Sequence, residues 1–205
     1  MFRQVVSSIV VSVAALGASL AHADTAPDAL VKQVATKVID DVKGDKQIQG
    51  GDTQKIRALV DTQVIPHVDF PRMTASVVGR AWKTATPEQQ KQLQDEFKAL
   101  LVRTYAGALT QVTPSTTIDI KPLRMAADDT EVVVRTLVKG KGDPVQIDYR
   151  LEKASPDWKI YDVNVLGVWL VDQYKGSFAQ QISAGGIDGL IKTLVEKNKA
   201  ATAAK

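Results

Sequence analysis

The chain of 205 residues contains no cysteine and only two histidines. The first absence excludes thiol catalysis, zinc–thiolate sites and disulfide redox work. The second leaves little with which to hold a transition metal. The sequence also lacks a glycine-rich phosphate loop, because "GKGDP" does not have the spacing such a loop needs. No serine sits in a nucleophile-elbow setting. Charge of one sign is scarce: the formal net charge is +3, and Lys, Asp and Glu are interspersed throughout. Nucleic-acid binding needs a concentrated basic face, and none is present.

One apolar run stands out, at the N-terminus. Arg3 precedes "VVSSIVVSVAALGASL", and "AHA" (Ala21, His22, Ala23) supplies the small residues that a signal peptidase reads. This pattern predicts an exported protein whose leader, residues 1–23, is cleaved after Ala23. The run is short for a bilayer span of about 20 residues. Residues 24–205 then form the mature chain, which is long enough to bury a core without disulfides.

The mature chain reads as helices, then strands, then helices. Leu30, Val31, Val34, Val38 and Val42 recur at helical steps, and Asp52 can cap a second helix carrying Ile56, Leu59, Val60 and Val64. "KGDKQIQGGD" between them reads as a polar loop. A turn and short helix follow in "HVDFPRMTASVVGRAW", with Gly79 as a helix end. In "TPEQ", Thr86 is an N-cap, Pro87 occupies the first helical position and Gln89 completes a capping box. That helix runs towards Val112, so the N-terminal helical part spans 28–112.

Four strands follow within 117–166: one around Ile118 and Ile120, then Glu131 to Val138, Val145 to Leu151 and Trp158 to Val165. The short links predict an antiparallel meander. Ile147, Tyr149 and Leu151 fall on one face; Gln146, Asp148 and Arg150 fall on a face that reads as solvated. In the fourth strand, Tyr161, Val163 and Val165 are expected on the covered face. The C-terminal helices occupy 169–198, with Val171, Tyr174, Phe178 and Ile182 on one stripe and a break at Gly185 and Gly186. The fold class is α+β: a curved antiparallel sheet of about four strands covered by several helices.

The search for catalytic groups yields little. His67 and Asp69 could be written as an acid–base pair, and Asp162 interrupts an apolar strand. These residues support an alternative reading, an enzyme acting on a small apolar substrate. A surface or structural histidine, and an aspartate that faces solvent or caps a backbone group, account for the same residues. The apolar residues carry more information. Aromatic and medium-sized side chains on the covered sheet face, opposed by Phe97, Tyr105 and Trp82 from the helices, suit a pocket between layers.

In their order and spacing, "VIPHVDF", "VGRAWKTATPEQQ", "FKALLVRTYAGAL", "DWKIYDVNVLGV" and "GGIDGL" resemble the MlaC family of periplasmic phospholipid-binding proteins, also called toluene-tolerance proteins. The resemblance runs from about Leu30 to Lys197. It departs locally at His67 and Trp169. It implies a sheet-and-helix fold related to NTF2-like proteins and no catalysis. It also implies a phospholipid cargo whose acyl chains lie between sheet and helices. The implied partners are an inner-membrane ABC transporter with its MCE subunit and an outer-membrane lipoprotein, MlaA, associated with porin. No cofactor or metal is implied. On this reading the sheet contributes Val134, Ile147, Tyr149, Tyr161, Val163 and Val165 to the lipid site. The helices contribute Phe70, Val78, Trp82, Phe97, Leu101, Tyr105 and Tyr174. Val168 lies at the rim.

Overall fold

The computed structural model describes residues 25–154 and 157–203; the expected leader lies outside them. Helix α1 (Pro27–Gly44) starts on a proline, and α3 (Thr53–Leu59) starts under the Asp52 side chain, which accepts from the backbone of Gln54 and Lys55. The loop expected between them contains a one-turn helix, α2 (Lys46–Gln49). Asp45 caps it and Ile48 anchors it in the core, a single buried residue too isolated to give a periodic signal. Helix α4 (Phe70–Val78) ends at Gly79, whose φ of 70° suits glycine.

Helix α5 (Pro87–Leu109) has the full capping box: Thr86 Oγ1 accepts from the Gln89 backbone, and the Gln89 side chain accepts from the Thr86 backbone. Helix α6 (Leu170–Ala203) kinks at Gly186, where φ 67° and ψ −168° lie in a region that only glycine adopts readily.

Five antiparallel strands form one open sheet in chain order: β1 (Thr117–Ile120), β2 (Glu131–Lys139), β3 (Val145–Ala154), β4 (Asp157–Val165) and β5 (Val168–Trp169). The expected meander is present, with β5 as an added two-residue edge. It forms because Leu166 and Gly167 both take positive φ, 53° and 91°, as a tight two-residue hairpin requires.

Hydrophobic burial divides into three regions. Leu30, Val31 and Val34 of α1 cover Val132, Val134, Leu151, Trp158 and Ile160 on one face of the sheet. Helices α4, α5 and α6 pack together around Leu93 and Phe97, both fully buried. Burying one such Phe contributes up to about 3 kcal/mol. A third cluster ties the end of α1 to α3 and the C-terminal part of α5 through Val42, Ile56 and Val102.

The register of β3 and β4 shifts between Arg150 and Leu151. Arg150 pairs with Asp162 and Leu151 pairs with Ile160, leaving Tyr161 as the extra residue of a β-bulge. The bulge breaks the alternation. Val163 and Val165 stay on the covered face with Ile160 and Trp158, whereas Tyr161 joins Asp162 on the outer face. This corrects the expectation that Tyr161 shares a face with Val163 and Val165. The bulge cannot be read from "KIYDVNV", because a strand with one residue inserted keeps an alternating look on either side.

Candidate functional site: a crevice between sheet and helices

Ile147, Tyr149, Val163 and Val165 form a block of two cross-strand pairs, Ile147 with Val165 and Tyr149 with Val163, on the covered face. On β2 the block continues into Val134, opposite Tyr149, and Thr136, opposite Ile147. Val134 is buried under the α1 cluster, but the four residues of the block are only half-buried. Apolar side chains that stay partly open on a covered face are what a crevice between layers leaves. Tyr149 shows this most clearly. It keeps some accessible surface, yet burial pushes its hydroxyl up to about 12, with Thr136 as its hydrogen-bonding neighbour. Val163 and Val68 pack against both the α1–sheet cluster and the helical cluster, so the candidate crevice lies where the two cores meet.

The facing wall is helical. Phe70 and Val78 of α4 and Phe97 of α5 are buried in one cluster, and Trp82, Leu101 and Tyr174 pack against it half-buried. The Phe97 ring lies 5.8 Å from Phe70 and 5.3 Å from both Tyr174 and Phe178, the last two edge-on. Tyr105 stands at the open side, where its hydroxyl donates to Gln173 Oε1 at 3.3 Å. Val168 pairs with Val165 and continues the apolar floor to the sheet edge, half exposed at 50%. The candidate residues therefore fall into a floor and a wall, with Tyr161 outside both. Two cavities of about 340 and 450 Å³ lie elsewhere, one beside Leu123 and Arg135, the other beside Asp40 and Lys55; no candidate residue lines either.

The outer face of the sheet is not the plain solvated surface its sequence suggests. Asp148, Asp162 and Asn164 are all buried. Asn164 Oδ1 accepts from the Gly167 backbone at 2.8 Å and holds the hairpin, and Asp148 accepts from Gln146 at 2.9 Å. Asp162 Oδ1 accepts from the backbone of Val163 at 2.9 Å and of Val171 at 3.1 Å, and its Oδ2 accepts from Arg150 at 2.9 Å. Burial raises the Asp162 pKa against the opposing pull of these donors. The carboxylate caps the first turn of α6 from a distant strand, so the expectation of a backbone-capping role is met and that of a solvent-facing one is not.

The same geometry bears on acid–base chemistry. Asp162 faces away from the crevice. Asp69 accepts from the Arg72 backbone at 2.8 Å as the cap of α4. His67 is half-buried, and its pKa is lowered by burial and by Lys159 nearby. These three groups do not converge on the crevice, and no cluster of metal-ligating side chains occurs among the described residues.

The MlaC protein family profile matches residues 32–196. The chain belongs to the MlaC family. Among relatives, it is 26% identical over 175 residues to the intermembrane phospholipid transport system binding protein MlaC of Haemophilus influenzae, covering 83% of this chain and 81% of that one. It is 27% identical over 170 residues to the toluene tolerance protein ttg2D of Pseudomonas putida, covering 82% and 78%. A solved structure of the phospholipid-binding protein from Ralstonia solanacearum, in complex with a phospholipid, superposes with a TM-score of 0.82 at 49% identity. The match covers 89% of this chain and all of that one.

Proposed function

We propose that this MlaC-family protein is a phospholipid carrier of the periplasm. The observation that carries the reading is the 49% identical structure bound to a phospholipid, which matches 89% of this chain over its own whole length. The crevice supplies a physical reason. Exposing one methylene to water costs about 0.8 kcal/mol, so an acyl chain of about fifteen would cost about 12 kcal/mol to carry unprotected. On this reading the acyl chain lies between Ile147, Tyr149, Val163 and Val165 on one side and the helical cluster around Phe97 on the other. The head group is expensive to desolvate and stays in water, so recognition rests mainly with the tails.

On this reading the chain is exported, loses residues 1–23 and performs no catalysis. It moves phospholipid between an outer-membrane lipoprotein, MlaA with its porin, and the MCE subunit of an inner-membrane ABC transporter, and so maintains outer-membrane lipid asymmetry. The experiment is reconstitution: purified protein loaded with labelled phospholipid, mixed separately with the membrane-embedded transporter and with the lipoprotein–porin complex. Transfer to or from both supports a shuttle. Transfer with neither would overturn it while leaving simple lipid binding intact.

A further inference from the structure

The bulge in β4 turns two consecutive side chains to the outer face of the sheet, and each meets a different helix of the crevice wall. Tyr161 lies under Arg72 of α4, whose guanidinium carbon is 3.6 Å from the ring centroid. Arg72 also pairs with Glu131 at 2.7 Å and with Glu152, and the Tyr161 hydroxyl donates to Glu131 at 3.3 Å. Asp162 takes the Val171 backbone of α6 and the Arg150 guanidinium, and Arg150 in turn lies 3.8 Å from the ring centroid of Trp169, just before α6 begins. Both helices are thus tied to the side of the sheet facing away from the crevice they enclose.

Asp162, a charged group at 1% exposure, costs stability unless well partnered, and a well-packed apolar residue in its place would hold a fold as well. What the polar ties add is direction. A guanidinium stacked on an aromatic ring and hydrogen-bonded to a carboxylate tolerates little change in angle. We propose that the Tyr161–Asp162 bulge is a double brace that sets the distance of α4 and α6 from the sheet, and through it how firmly the crevice retains its lipid. Arg72, Arg150 and Trp169 are then positioning residues that touch no lipid themselves. The retention part of this proposal rests on the carrier reading; the distances do not.

The absence of cysteine makes the test clean. Spin labels are placed through Thr117→Cys with Lys175→Cys for the sheet-to-α6 distance, and through Thr117→Cys with Ala75→Cys for the sheet-to-α4 distance. Arg150→Met is expected to broaden the first distribution and spare the second; Arg72→Met should do the reverse. Arg150→Lys and Arg72→Lys, which keep the charge and lose the flat fork, should show the same selectivity in weaker form and serve if the methionine variants do not fold. Release of a fluorescent phospholipid from each folded variant should quicken at least about fivefold. Narrow, unchanged distances overturn the brace, and so does equal broadening of both pairs, which would mark a general loss of stability. Unchanged release despite a selective broadening overturns the link to retention. A wild-type protein that takes up no phospholipid refutes the carrier reading, and the distances still decide the brace.

Discussion

Val163→Asp puts a charge at the junction of the two cores, and its effects on fold and on cargo should separate. Val163 is half-buried and packs against both the α1–sheet cluster and the helical cluster. A fully buried Val contributes about 1.5–3 kcal/mol, so losing this one costs about 1 kcal/mol of stability. The new carboxylate can stay hydrated at the crevice wall, which keeps the total within the ordinary range of about 1–3 kcal/mol and leaves the protein folded. An acyl chain changes the balance. It must either dehydrate the carboxylate, at several kcal/mol, or give up contact over two or three methylenes at about 0.8 kcal/mol each. The cheaper route still weakens retention by about 2 kcal/mol, or roughly thirtyfold. The assay is release of a fluorescent phospholipid alongside a circular-dichroism melt, with Lys192→Ala, exposed on α6, as the control. A folded Val163→Asp protein that releases lipid at the wild-type rate would refute the assignment of the crevice floor.

Phe97→Ala removes a ring that is 0% exposed and touches three other aromatics, so thermal melts should show a loss of about 3–5 kcal/mol; under about 1 kcal/mol would mean the cluster repacks. Leu166→Asn should stabilise by a few tenths of a kcal/mol up to about 1, measured by denaturant midpoint, because Leu166 is 68% exposed at φ 53° and gains nothing there. Tyr149, with its hydroxyl pushed up to about 12, should ionise late in an ultraviolet titration, and Tyr149→Phe should remove that late step. Its raised folded-state pKa gives a definite sign: the contribution is intact below the unfolded value of about 10 and is lost as pH rises from there towards 12. A Tyr149→Phe protein as alkali-sensitive as wild type would contradict it.

Much of the fold was legible because local signals agreed with the tertiary outcome. Thr86, Pro87 and Gln89 each predict the start of α5, and all act there. The alternation in β3 and the short links between strands predict the meander. The break at Gly185 and Gly186 predicts the kink, which falls at Gly186. The misses have a common cause, which is that they depend on contacts between distant segments. Ile48 anchors a helix too short for periodicity. Asp162 is buried because α6 returns to it nine residues later, not because of its neighbours in β4. Tyr161 changes face because a register shift is a property of two strands together. Of the proposed site, the shared covered face of Ile147, Tyr149, Val163 and Val165 follows from alternation, and the packing of Phe97, Leu101 and Tyr174 into one helical cluster follows from helical spacing. The arginines that tie the helices to the outer face were not, since a surface charge and a bracing charge look alike in sequence.

The proposed cargo is a phospholipid held in the crevice. The most direct measurement is native mass spectrometry of the purified mature protein, followed by solvent extraction and lipid analysis of the same sample. A phospholipid carrier yields a lipid-bound species that survives purification, is reloaded from vesicles after delipidation and is depleted in Val163→Asp. Repeated recovery of lipid-free protein that takes up nothing from vesicles would contradict it.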